Sequence, residues 1–167
     1  MTISTAARKK PRPLKRTSGA KEVMKMEIRP FDTSDEASVV QLWSACGLTV
    51  PWNDPHHDIQ RKLKIQPEMF LVACSEGRII ATVMAGYDGH RGWINYLAVH
   101  PQYRHSGIGR RMMDEAEILL RAAGCPKVNL QVRSKNAAVI EFYKQIGFRA
   151  DDVVSLGKRL GGFWGRP

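Results

Sequence analysis

The sequence predicts a mixed fold of the α/β or α+β class, a sheet flanked by helices and preceded by a basic arm. Three observations predict it. Short β-rich runs alternate with longer amphipathic segments from Met26 onward, and no repeat at solenoid spacing is present. Three of the β runs follow one another as a meander. A long helical pattern then separates the third run from the fourth, an order that suits a mixed sheet with helices packed on it and not a purely parallel array.

The elements follow in order. MEIRPF reads as the first strand. SDEASVVQLWSACG reads as an amphipathic helix with Ser34 as N-cap, Val39, Val40, Trp43 and Cys46 at helical intervals, and Gly47 as its stop. DPHHDIQRKLKI predicts a second helix with Ile59, Leu63 and Ile65 inward. MFLVACS and RIIATVMAGY flank Glu76-Gly77, the composition of a hairpin turn, and DGHRG leads into the third run, WINYLAV. The clearest helix spans Ser106 to Gly124. There Ile108, Met112, Ala116, Leu119 and Ala123 recur at steps of four and three, Met113 and Leu120 widen the stripe, and Pro126 prevents continuation. KVNLQVR follows as a strand, Asn136 is placed to cap the helix AAVIEFYKQI, and VVSLGKR is compatible with a terminal strand.

At 167 residues the chain has room for one core, which we place at residues 26–167. Hydrophobic residues make up 43% and charged residues 25%, which excludes a fibre or a wholly disordered chain. No apolar run reaches the ~18 residues of a membrane span and no secretory h-region opens the chain, so a cytoplasmic protein without membrane partners is expected. Cys46, Cys74 and Cys125 are odd in number and far apart, the pattern of reduced core residues and of neither a disulfide framework nor a metal site.

The net charge of +10 would suit a nucleic-acid binder, but it is unevenly spread. Residues 1–25 carry eight Lys or Arg against Glu22, a charge of +7, which leaves +3 for the rest. That stretch holds Pro11, Pro13 and Gly19 and no apolar period, so it reads as a disordered basic arm, or as an extension ahead of a start at Met24 or Met26. Nucleic acid is therefore not the expected partner of the folded domain.

The stretch that carries chemistry is VHPQYRHSGIGRRMM, a strand end that runs through a glycine-bearing loop into the long helix. A helix N-terminus presents unpaired N–H groups and the positive end of the macrodipole, and so suits an anion. Gly107 and Gly109 remove side chains where a phosphate would approach, and Arg104, Arg110 and Arg111 add positive charge. A pyrophosphate fits that description. A dinucleotide fingerprint is excluded by Met112 in its third glycine position and by Lys127 where an acidic residue would stand. A Walker loop is absent.

With V-H-P-x-Y leading into Arg104-x-x-Gly107-x-Gly109, the segment resembles the acetyl-CoA pyrophosphate loop of the GNAT N-acyltransferase superfamily. VRSKNAAVIEFYKQIGF, from Val132 to Phe148, is similar to the second signature of that superfamily. The pattern is nearest the YpeA-type bacterial acetyltransferases and the ribosomal-protein alanine N-acetyltransferase branch. The resemblance implies a splayed mixed sheet with acetyl-CoA as cosubstrate, its pantetheine arm between the fourth and fifth strands, and no metal. Leu97, Ala98 and Val99 would supply the strand facing that arm. Arg104, His105, Ser106, Gly107, Ile108, Gly109 and Arg110 would form the pyrophosphate loop. Asn136 would contact the cofactor, and Tyr143 would protonate the departing thiolate. The resemblance also makes a homodimer plausible.

The residues support the last pair independently. Asn136 and Tyr143 are about two helical turns apart and project from nearly the same face. A phenol with pKa near 10 stays protonated at pH 7 and can donate to a leaving thiolate. Core packing explains a tyrosine equally well, and helix capping explains Asn136.

The resemblance implies a glutamate base in the strand before the second signature, but Gln131 stands there. In the preceding strand Trp93 and Asn95 occupy the positions of another familiar carboxylate, and Glu141 points away from Tyr143. His56 and His57 read as surface residues, and Trp52 and Trp93 as core or pocket wall. The expected reaction is direct attack on the thioester by a primary amine, on a small molecule or a protein or peptide N-terminus. Without a carboxylate in either place the proton is relayed through water or the acceptor is already partly neutral, which points to an amine of pKa near 8 and to no separate enzyme base near pH 5 to 6. An acyl-CoA-binding regulatory module is the competing reading of the same fold.

Overall fold

The computed structural model describes residues 25–158 and 160; except for Lys25, the basic arm read at 1–25 lies outside the described residues. The elements run β1 (Glu27–Pro30), α1 (Glu36–Ala45), α2 (Pro55–Leu63), β2 (Phe70–Ser75), β3 (Arg78–Tyr87), β4 (Gly92–Val99), α3 (Ile108–Ala122), β5 (Val128–Leu130) and α4 (Ala137–Gln145). The strands form one sheet in the order β1-β2-β3-β4-β5. The first four pair antiparallel and β5 joins β4 in parallel, giving the mixed sheet that the alternation of periods predicts. The β2–β3 turn is Glu76-Gly77, with φ of 50° and 74°, a left-handed pair that keeps the twist of a tight hairpin.

Each face of the sheet has its own core. On one, α3 contributes Ile108, Met112, Met113, Ala116 and Leu120 against Ile80, Val83 and Ile94, with Tyr143 of α4 joining them. On the other, Val39, Leu42 and Trp43 of α1 and Ile59 of α2 pack on Phe70, Val72, Met84 and Ala98. Alternation along β3 splits its side chains between the two cores, the period of 2 that sets sheet faces. Arg29 of β1 grips Asp35 through two hydrogen bonds of 2.7 and 2.9 Å, which fixes the entry into α1. The guanidinium holds the Asp35 carboxyl below its ordinary pKa.

Several boundaries differ from expectation. Ser34 does not cap α1: Asp32 accepts from the Ser34 amide, and a one-turn 3-10 segment at Thr33–Asp35 precedes the helix. The Ser34 hydroxyl donates to Asp32 Oδ1 at 2.6 Å, and Asp35 stands at the N-cap of α1 without a side-chain cap bond. Ile65 is exposed, because α2 ends at Leu63 and the chain has already left the helical face. Ala123 is exposed for the same reason at the end of α3. The VVSLGKR segment joins no strand among the described residues. It is tethered through Ser155, which accepts from Gln131 at 2.5 Å, and the chain just ahead of it is held by Lys127 donating to Asp151 at 2.6 Å. β5 is only three residues long and offers little ladder to extend. Among the described residues no helix is long and apolar enough to cross a membrane.

Candidate active site

The parting of two strands positions the site. β4 and β5 pair only over Gly92–Ile94 and Val128–Leu130, after which β5 ends and the chain turns toward α4. From Asn95 to Val99, β4 therefore has β3 on one side and no strand on the other. Unpaired main-chain donors and acceptors along such an edge are a template for an extended guest.

A bulge lies where the edge opens. Thr82 stands opposite Ala98 and Met84 opposite Asn95, so two steps on β3 answer three on β4. The surplus residue is absorbed at Tyr96, whose φ is 50°. The Thr82 hydroxyl donates to the Tyr96 carbonyl at 2.9 Å and holds the bulge. A bulge re-aims side chains. Here Tyr96 packs in the α1/α2 core while Leu97 and Val99 pack against the α3 core.

The loop after β4 leads to α3 as the motif predicts. Gly107, at φ 82°, is the N-cap, and the helix's first backbone bond runs from Arg111 N to Gly107 O at 3.1 Å. Ahead of it the amides of Ile108, Gly109 and Arg110 are the orphan donors of the first turn. A Cβ on Gly107 would meet nothing within 4 Å, so the loop is open at that point. Ser106 closes the turn by donating to the Tyr103 carbonyl at 2.5 Å, and His105 takes φ 60°.

Three loop residues have roles the sequence did not suggest. A Cβ on Gly109 would lie 3.2 Å from the Phe142 ring, so this glycine lets α3 and α4 approach. Arg104 donates to the Val99 carbonyl at 3.1 Å, and Arg110 donates to the Gln145 carbonyl at 3.1 Å, which ties α3 to the end of α4. Among the described residues Arg111 is the arginine of this loop and helix start whose guanidinium has no such tether.

Tyr143 follows Phe142 on α4 and is buried in the same core cluster as Ile108, the first residue of α3. Its ring makes edge contacts with Phe142 and Phe148 at 5.1 and 5.5 Å and is 8% exposed. Burial pushes its phenol up to about 12, so it is protonated at neutral pH. Among the described residues the one sealed side-chain polar atom without a partner is Asn129 Oδ1. Asn136 stands at the other end of α4, exposed, and caps the helix by accepting from the Val139 amide at 3.4 Å. Gln131 is exposed and engaged with Ser155.

On the other face of β4 a side-chain network appears that the sequence reading missed. Tyr96 donates its hydroxyl to Asp58 Oδ2 at 2.5 Å, and Asn53 Nδ2 bonds both Asp58 and the Tyr96 oxygen, the latter at 2.7 Å. Arg61 pairs with Asp58 Oδ1. The Tyr96 ring stacks on Trp43 with centroids 3.9 Å apart, and Trp43 Nε1 donates to Thr82 Oγ1 at 2.9 Å. Burial and the Asp58 carboxylate raise the Tyr96 pKa. The one sequence signal was the broken alternation of Trp93, Asn95 and Tyr96, which marks the bulge but not the partner.

The remaining candidates lie at the surface. Trp93 is 37% exposed and donates to Asp88 at 3.2 Å, and Trp52 is also exposed, so neither belongs to the core. His56 pairs with Glu36 and His57 with Asp54, both exposed. The three cysteines are free and partly buried. Among the described residues no group of three or more His, Cys, Asp or Glu gathers as a metal site.

The model of the acetyltransferase (GNAT) family matches residues 37–148. The chain belongs to that family. An acetyltransferase of Yersinia enterocolitica is 50% identical over 135 residues, covering 81% of this chain and 96% of its own length. Among solved GNAT-like folds, the ribosomal-protein-S18-alanine N-acetyltransferase of Escherichia coli has a TM-score of 0.63 at 22% identity, covering 75% of this chain and 78% of its own. AAC(6')-Iy, solved with the bisubstrate analog CoA-S-monomethyl-acetylneamine, has a TM-score of 0.68 at 16% identity, covering 81% and 99%. These two likenesses are of fold. They agree with the splayed mixed sheet that the motifs implied.

Proposed function

We propose that this GNAT protein is a cytoplasmic, acetyl-CoA-dependent N-acetyltransferase in which a primary amine attacks the bound thioester directly. The observation that carries this reading is the parting of β4 from β5 beyond Ile94, with the first turn of α3 following at the end of β4. In this reading the pantetheine arm pairs with the free edge of β4 over Leu97, Ala98 and Val99. The pyrophosphate sits on the loop from Arg104 to Arg110, held by the amides of Ile108, Gly109 and Arg110. His105, Ser106 and Gly107 shape the turn, and Arg111 adds charge. Asn136 reaches the arm through its amide nitrogen, since its oxygen caps α4.

The amine's lone pair forms the new C–N bond at the carbonyl carbon, and the adduct then collapses with loss of the thiolate. Tyr143 gives that sulfur a proton, which it holds at working pH because burial raises its pKa. No covalent intermediate on the enzyme is needed. With Gln131 in place of a carboxylate, the acceptor must arrive largely neutral, which favours an amine of pKa near 8 over an unperturbed lysine by over two orders of magnitude in neutral fraction. A peptide or protein N-terminus, or an electron-poor sugar amine, meets that condition.

The test has two parts: calorimetric binding of CoA, and CoA release from acetyl-CoA with a panel of amines. Binding together with amine-dependent release is expected. CoA binding with no release for any amine would favour the acyl-CoA-binding regulatory module instead.

A further inference from the structure

We propose that Tyr96 and Asp58 form a proton relay at the acceptor side of β4, with Tyr96 as the group that touches the amine and Asp58 as its positioning partner and proton sink. The proposal rests on the acetyl-transfer reading above. It answers the question Gln131 leaves open, namely where the proton of the attacking nitrogen goes.

Tyr96 occupies the bulge residue itself, at the point where β4 loses β5 and where an arm lying along the free edge would bring its thioester. Its side chain lies on the α1/α2 face, away from α3 and Tyr143. Acid and relay thus stand on opposite faces of one strand, the arrangement that a thiolate leaving one way and an amine entering the other require. Asn95 and Trp93, which precede Tyr96 on β4 on either side of the buried Ile94, are exposed, which leaves room for an acceptor beside the phenol.

The hydrogen bonds define one direction of proton flow. Asn53 donates to the Tyr96 oxygen and Tyr96 donates to Asp58 Oδ2 at 2.5 Å, so the phenol already points its proton at the carboxylate. After attack, the nitrogen of the tetrahedral adduct carries a surplus proton. Its N–H bond breaks as an O–H bond forms at Tyr96, and the phenol's former proton moves to Asp58. The nitrogen loses its positive charge and the carboxylate its negative charge, so the step balances without a co-reactant. Asp58, whose side chain is 20% exposed, then returns the proton to water. Stacking on Trp43 and the Thr82 bond to the Tyr96 carbonyl keep the ring from rotating away. Because the relay acts after attack, it leaves the preference for an acceptor of pKa near 8 unchanged.

Tyr96→Phe and Asp58→Asn both keep shape, and thermal melts check that they keep the fold. Single-turnover acetyl transfer in the full chain is followed with the fastest of three amines: alanyl-glycinamide, spermidine and glucosamine. Each variant should lose ~10²-fold or more in rate while CoA affinity stays within about twofold. The parent's rate against the deuterium content of the solvent should curve, as two protons in flight require, and become linear in Tyr96→Phe. Folded variants that keep the rate within about threefold of the parent would overturn the relay alone. A parent that binds CoA but acetylates none of the three amines would overturn the acetyl-transfer reading, and the relay with it.

Discussion

The two faces of β4 are built by different means. On the α3 side the candidate cofactor site is largely main chain: a strand edge, a glycine at φ 82° and the first amides of a helix. On the α1/α2 side the candidate acceptor site is side chain, with Trp43, Asn53, Asp58, Thr82 and Tyr96 brought together from four elements and a loop. A main-chain cradle suits a cosubstrate shared by many enzymes, since it demands only a backbone path. A side-chain network suits a partner that differs from one enzyme to the next, since each residue can change without moving the strand. The two halves should therefore fail differently.

The largest expected effect is on the cofactor side. Tyr143→Phe should lower turnover ~10²- to 10⁴-fold with little change in acetyl-CoA affinity, because the hydroxyl acts as the thiolate leaves. Equal turnover in a single-turnover assay would remove Tyr143 from the chemistry. The counterpart on the acceptor side is a loss of stability: Trp43→Ala empties the contact with Phe70 and Tyr96 and should cost ~3–5 kcal/mol in urea denaturation. A cost under about 1 kcal/mol would mean that the face repacks without its largest side chain.

Alkaline pH probes both faces at once. The Tyr143 phenol is pushed up to about 12 in the folded protein against an ordinary value near 10, so the native state favours the neutral form. Stability from this group is complete below pH 10 and falls as pH rises from 10 to 12, where the unfolded chain ionises first. The loss is at most ~2–3 kcal/mol. Tyr143→Phe should flatten part of that slope in denaturation curves at pH 9 and pH 11, and Tyr96→Phe a further part, because the Tyr96 pKa is also raised. An unchanged slope in both variants would show that neither phenol is held neutral.

The smallest stability effect should sharpen the contrast most. Gly107→Val adds a Cβ that meets no atom within 4 Å, so the structural cost expected is that of the left-handed backbone, ~1–2 kcal/mol. Its effect on CoA binding should be far larger, with calorimetric affinity lost while the melt persists. A folded Gly107→Val protein that binds CoA as well as the parent would place the pyrophosphate elsewhere.

What the sequence determined by itself is the set of elements governed by local rules. The hairpin at Glu76-Gly77, the helix from Ile108 and the Asn136 cap each depend on residues a few positions apart, and each formed where the pattern placed it. Short-range competition explains the misses, as at Ser34, whose amide and hydroxyl both donate to Asp32 two residues earlier. The cofactor loop was legible because a helix start and its glycine are contiguous. Only the tertiary structure decided the rest. Gly109 serves the approach of Phe142, Arg110 ties two helices, and Asp58 meets Tyr96 across 38 residues of chain. Such contacts depend on how α2 and α4 settle on the sheet, and no spacing rule within either segment encodes that distance.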